Sequence, residues 1–212
     1  MSKSTVIKWT LSLLLTLALP YAHAAGLAPD AQIKALYEQV VAAIKKDKEI
    51  RAGNPKKIAE LVQTTILPNF DFARMTRIAM GANWRRATPP QQQRLISEFE
   101  TLLVHTYSGA VSRYRDQTIE FKPVRMQAGD TEVTVRSELR QPGAQALAID
   151  YAMTKEDQGW KVYDVSVGGV SLITTYRDTF TDTVRSRGVA GLIESLQSKN
   201  RENESARSKA KT

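Results

Sequence analysis

The sequence predicts an α+β domain: a helical N-terminal half packed on a twisted antiparallel sheet of about four strands, followed by C-terminal helices. Three observations carry this. Apolar residues recur at three- and four-residue spacing up to about Tyr114. From Thr118 to Gly168 the period switches to two, and from Leu172 it returns to helical spacing. A 3.6-residue period buries one helix face, whereas a period of two buries one sheet face.

The first helix is expected to begin at Asp30, a residue type that caps helices, with Ile33, Leu36, Tyr37, Val40, Val41 and Ile44 on one side. The pattern dissolves in KKDKEIRAGN (45–54). Asn54 before Pro55 opens a second helix carrying Ile58, Leu61, Val62 and Thr65, which Pro68 ends. Asp71 caps a third, with Phe72, Met75, Ile78 and Ala79, and Gly81 closes it. The longest pattern runs from Pro89 to about Arg115 behind the cap Thr88. Leu95, Ile96, Phe99, Leu102, Leu103, Tyr107, Ala110, Val111 and Tyr114 make its broad apolar face. Arg94, Glu98, Thr101, His105, Ser108, Ser112 and Arg115 make a polar stripe opposite.

Strands are predicted at 118–125, 131–140, 146–155 and 160–168, separated by Ala128-Gly129-Asp130, Gln141-Pro142-Gly143 and Glu156-Asp157-Gln158-Gly159. Val133, Val135 and Leu139 alternate with Thr134, Arg136, Glu138 and Arg140. Leu147, Ile149, Tyr151 and Met153 alternate with Ala148, Asp150, Ala152 and Thr154. One greasy and one wetter face imply an antiparallel meander covered by helices on one side. Leu172, Ile173, Tyr176, Phe180 and Val184 then mark a helix ending near Gly188, and Leu192, Ile193 and Leu196 a shorter one. The tail 199–212 has five basic residues against Glu202 and Glu204 and is expected to be disordered.

Residues 1–24 have the form of a secretory signal peptide. Lys3 and Lys8 precede the apolar run Trp9 to Leu19, and Ala22-His23-Ala24 is a small–x–small cleavage pattern, placing the cut near Ala24/Ala25. The run is shorter than the roughly 20 residues of a membrane span. Residues 25–198 read as a single domain that needs no disulfide, because the chain has no cysteine. Two of the net +8 charges leave with the signal, and the chain lacks the aromatic–basic platform of a nucleic-acid binder. Mild attraction to anionic membranes or acidic proteins remains open.

No catalytic constellation emerges. With two histidines, one inside the signal, and no cysteine, no metal site is expected. Gly169-Val170-Ser171-Leu172-Ile173 lacks the second glycine of a nucleophile elbow, and Gly168-Gly169 lacks the lysine of a phosphate loop. Asp150 and Asp164 fall on neighbouring strands and are the nearest approach to an acid–base pair; Asp150 is more simply a wet-face partner for a cationic residue across the sheet. His105 is read as a solvated residue. A hydrolase using Asp150 and Asp164, and an exported adaptor without ligand, are the rival readings to a binding module.

LPNFDFARMTRIAMGANWRRATPPQQQRLISEFETLLVHTYSGAVSRY (67–114) resembles the MlaC, or toluene-tolerance, family of exported lipid carriers. The likeness continues through Gly159-Trp160-Lys161-Val162-Tyr163-Asp164-Val165, Gly169-Val170-Ser171-Leu172, Tyr176-Arg177-Asp178-Thr179-Phe180, Gly188 and Gly191-Leu192-Ile193. The resemblance implies a periplasmic, non-enzymatic carrier that keeps outer-membrane lipid asymmetry. Such a protein shuttles phospholipid between an outer-membrane lipoprotein–porin complex and an inner-membrane MCE-domain ABC transporter. It implies an apolar cavity between helices and sheet, a bound phospholipid as cargo, no cofactor, and most simply a monomer. Burying two acyl chains saves on the order of 20 kcal/mol at about 0.8 kcal/mol per methylene, so the core must be hollow. The positions with the right facing are Leu103, Tyr107 and Val111 on the long helix and Val133, Val135, Ile149, Tyr151 and Met153 on the sheet. Tyr176 and Phe180 join them from the following helix. Trp84-Arg85-Arg86 is a separate basic corner that could meet lipid phosphate or a partner.

Overall fold

Local chemistry decides where each helix begins. In this computed structural model, which describes residues 27–114 and 117–209, α1 spans Pro29–Lys46. It starts one residue before the expected cap, because Pro29 has the φ of a first helical residue and no N–H to satisfy. Asp30 falls in the first turn instead. Where periodicity is lost, Asp47 accepts the N–H groups of Glu49 (2.8 Å) and Ile50 (3.2 Å) and starts α2, Lys48–Arg51, which buries Ile50. Asn54 caps α3, Pro55–Leu61. The helix then widens into a π turn, Val62–Ile66, and tightens to a three-ten turn, Leu67–Asn69. Asp71 caps α4, Phe72–Met80, through the Arg74 N–H at 2.8 Å, and Gly81 (φ 53°) ends it in a backbone region that L side chains avoid.

Thr88 and Gln91 cap one another at the start of α5, Pro89–Tyr107. The helix is shorter than the apolar pattern suggests. It breaks at Ser108, ahead of Gly109, and a single turn, α6 (Gly109–Ser112), follows.

Five antiparallel strands, β1 (Thr118–Phe121), β2 (Glu132–Arg140), β3 (Leu147–Glu156), β4 (Gly159–Val167) and β5 (Val170–Ser171), lie in sequence order. The fifth exists because Gly168 (φ 59°) and Gly169 (φ 83°) turn the chain back on β4 rather than merely ending it. A bulge at Tyr163 lets Met153 oppose Val162 while Ala152 opposes Asp164, so Val162 and Val165 both face inward although three residues apart. The open flank of β4 is covered by Gln32 and by Phe70, which bridges Val162.

The core has three parts. Ile33, Val135, Met153, Trp160 and Val162 seal α1 against the sheet. Ile44, Ile50, Ile58, Leu61 and Val62 join the first three helices. The largest part lies between α4, α5 and α7, Arg177–Lys209, where Phe99 sits edge-on to Tyr176 (5.0 Å) and Phe180 (5.1 Å). Gly188 (φ 70°, ψ −178°) is not helical, so α7 is two helical arms that meet there, where the sequence places the end of one helix and the start of the next. The helix continues to Lys209, which corrects the expectation of a disordered tail over its described part: Asn200 is buried, and its Nδ2 donates to the Glu98 carbonyl (3.0 Å) and carboxylate (2.8 Å). The polar stripe of α5 is therefore a docking face for the tail. The signal-peptide reading, with its cleavage point, falls outside the described residues.

Candidate functional site

Val62 and Ile66, four apart across the π turn, share a wall with Leu67, which the three-ten turn after it brings round. Phe70 and Phe72 stack across Asp71 at 5.9 Å, and this segment is tied to the sheet by the Asp71 N–H donating to the Val162 carbonyl at 2.9 Å. Leu103, Val104 and Tyr107 face them from α5, and Val111 from α6. Together with Met75 and Ser108 these side chains line a half-open cavity of about 140 Å³. Tyr107 and Ser108 bring its only side-chain hydroxyls. Nothing in such a lining can hold a charge, and everything in it favours hydrocarbon.

Tyr107 stands at the mouth, 38% exposed. Burial of the rest of its ring, with the Tyr176 hydroxyl nearby, pushes its pKa up to about 12, so it is neutral at any physiological pH.

Of the sequence-predicted positions, Leu103, Tyr107 and Val111 line this cavity. The others lie elsewhere. Val135 and Met153 are wholly buried in the solid layer between α1 and the sheet, with Val133 and Tyr151 half-buried around them. Ile149 is half-buried opposite Val167. Tyr176 and Phe180 pack on Phe99; on their other side is a larger open cleft of about 570 Å³, rimmed by Arg187, Glu194, Lys199 and Glu202 and therefore ill suited to an acyl chain. The sheet and α7 positions thus form core around the cavity rather than its lining, because α1 and the Phe70 segment occupy the space between sheet and helices.

Sequence reasoning missed Val62, Ile66, Leu67, Phe70, Phe72, Met75, Val104 and Ser108 as lining residues. The signal was Leu67, which falls out of step with Ile58, Leu61, Val62, Thr65 and Ile66 just before Pro68. An α-helix would turn Leu67 away from Val62 and Ile66, whereas the change to π and then three-ten winding brings all three to one wall.

The rival chemistry finds no assembly. Asp164 accepts the Ser171 hydroxyl and the Ile173 N–H, anchoring the turn before α7. Asp150 lies opposite Arg136 on β2, as expected of a wet-face residue. His105 is half-buried between α5 and the α7 tail rather than solvated. Trp84 packs on the helical core, and Arg85 and Arg86 are exposed on a three-ten turn, Gly81–Arg86, that does not border the cavity. Among the described residues no cluster of metal-ligating side chains occurs.

The family model described as MlaC protein matches residues 34–198. The toluene tolerance protein ttg2D of Pseudomonas putida is 24% identical over 83% of this chain and 82% of its own length. The intermembrane phospholipid transport system binding protein MlaC of Haemophilus influenzae is 20% identical over 68% of this chain and 69% of its own. Among solved structures, a phospholipid-binding protein from Ralstonia solanacearum in complex with a phospholipid is 41% identical. It superposes with a TM-score of 0.78 over 84% of this chain and 99% of that one. Ordered helices, meander, kinked C-terminal helix and matched span agree: the chain belongs to the MlaC family.

Proposed function

We propose that this protein is a phospholipid carrier that encloses acyl chains in the cavity between the 62–70 segment, α4, α5 and α6 and leaves the headgroup toward solvent beside Tyr107. The observation that carries this reading is an apolar cavity with a neutral rim in a chain 41% identical to a protein solved with a phospholipid bound. Its present volume of about 140 Å³ resembles an engineered apolar cavity of about 150 Å³ that takes benzene. Drug-sized ligands occupy about 300 Å³ or more. Loading a whole lipid therefore requires the walls to part. The most weakly built wall is the π and three-ten stretch Val62–Asn69, whose backbone bonding departs from the α pattern.

In this reading the protein acts in the periplasm after export, without cofactor and without chemistry on its cargo. It takes lipid from an outer-membrane lipoprotein–porin complex and gives it to an inner-membrane MCE-domain ABC transporter, which supplies the energy. The likeness to the two relatives named for toluene tolerance and intermembrane phospholipid transport supports it. Native mass spectrometry of the purified protein, followed by solvent extraction, is the test. One unaltered phospholipid per chain is expected. A ligand-free mass, together with failure to load from anionic and zwitterionic vesicles, would overturn the reading.

A further inference from the structure

The strongest concentration of charge in the described chain lies on the back of the cavity wall. Lys45, Lys46, Lys48, Arg51, Lys56 and Lys57 fall within 13 residues at the junction of α1, α2 and α3, against only Asp47 and Glu49. All but Lys57 are exposed. Lys57 pairs with Glu60 at 3.2 Å, and among the described residues the other five make no ion pair. Elsewhere on the molecule cations are largely interleaved with acids, as in the Glu120, Lys122, Glu138 and Arg140 network on the outer sheet face.

The inside of the same unit is apolar and continuous with the cavity. Ile44, Ile50 and Ile58 point inward from α1, α2 and α3, and Ile66, Leu67, Val104 and Val111 of the cavity lining pack against that cluster. The unit is thus basic outside and greasy inside, with the greasy side forming the cavity's wall.

We infer that this basic corner docks the protein reversibly on an anionic bilayer surface, with the cavity wall facing the lipid. Charge complementarity selects the occupant. Five of the six cations are lysines, compact hydrated point charges suited to a diffuse plane of phosphates. A carboxylate-rich protein face is more often met by arginine forks. Clusters of four to eight Lys or Arg bind acidic lipid through an attraction that acts within a Debye length of the surface. Docking by this face brings the Val62–Asn69 stretch close to the membrane, where opening it would not expose hydrocarbon to bulk water.

The inference rests on the carrier reading for its purpose but not for its test. Protein purified from expressing cells is mixed with vesicles of phosphatidylcholine alone, or of phosphatidylcholine with phosphatidylglycerol, and separated by flotation. Wild type is expected to float with the acidic vesicles at low salt, to be released as salt rises to about 0.5 M, where the Debye length falls to a few ångströms, and not to float with neutral ones. K45E/K48E/R51E is expected to weaken binding by about tenfold or more, whereas R85E/K155E/R177E, an equal charge change elsewhere on the surface, is expected to retain most of it. Equal partition onto both vesicle types, equal loss in both variants, or no wild-type flotation at low salt would overturn the inference; the last outcome would leave the face to an acidic protein. Copurified lipid in a wild type that does not float would sink the docking surface and leave the carrier standing. If the triple variant misfolds, the single substitutions K45E and K48E at exposed positions test the corner instead, and wild-type binding by both of them would overturn the inference.

Discussion

Gln32 of α1 and Trp160 of β4 exchange two hydrogen bonds: the Gln32 Nε2 donates to the Trp160 carbonyl at 2.7 Å, and the Trp160 N–H donates to the Gln32 Oε1 at 3.2 Å. A side-chain amide here stands in for the next strand. It satisfies both backbone groups of a 5%-exposed residue and fixes α1 over the sheet.

Gln32→Ala leaves those two groups without their partner. The expected cost is about 1–3 kcal/mol. Urea denaturation should show a lower midpoint with an unchanged slope. An unchanged midpoint would mean that water replaces the amide fully.

Met153 separates core from cavity. Its side chain is fully buried between Val135, Val162 and Ile33, so Met153→Ala is expected to cost about 2–5 kcal/mol. Lipid occupancy of the folded fraction should stay normal. Val111→Trp is the converse, filling the cavity from its half-buried rim: retained lipid should fall to a minor fraction with little change in Tm. If Met153→Ala lost lipid and Val111→Trp kept it, the cavity would lie against the sheet.

The kink of α7 depends on two glycines. Gly188 takes φ 70°, and a Cβ on Gly191 would come within 2.3 Å of the Arg187 Cβ. Gly191→Ala must push the two arms of the helix apart, and a loss of about 1–3 kcal/mol is expected from this overpacking. Thermal melts check it, and wild-type stability would show that the arms can separate freely.

Tyr107 gives a pH dependence. Its pKa, about 12, is raised above the ordinary value of 10.0, chiefly by burial and then by Tyr176. A phenol whose folded pKa exceeds its unfolded one contributes stability that is complete below about pH 10 and lost as pH rises toward 12. Stability should thus be flat through neutral pH and fall above 10, with Tyr107→Phe shallower over that range. Phenolate absorbance and melts at stepped pH measure it. A Tyr107→Phe profile identical to wild type would assign the effect to Tyr37, Tyr151 and Tyr163, whose pKa values burial also raises.

Much of this protein is determined along the chain. Asn54, Asp71 and Thr88 start helices where their side chains can accept backbone N–H groups, and Gly81 stops one because only glycine suits its φ. The alternation of β2 and β3 selects the face that Val135 and Met153 bury. The ordered likeness from Leu67 to Ile193 identifies the family without a fold. These features are local, or are patterns that survive without knowledge of what lies opposite.

Only the tertiary structure decided where the interior is empty. Leu103 and Met153 look alike in sequence, each an apolar residue on a buried face. One borders a cavity lined on its far side by Val62, Ile66 and Leu67 of the π and three-ten turns; the other is sealed by Ile33 of α1. The tail beyond Lys199 is as polar as a disordered segment, yet it is helical because Asn200 finds Glu98 on a helix 102 residues earlier. Burial depends on what the rest of the chain brings to the other side, and periodicity carries no information about that.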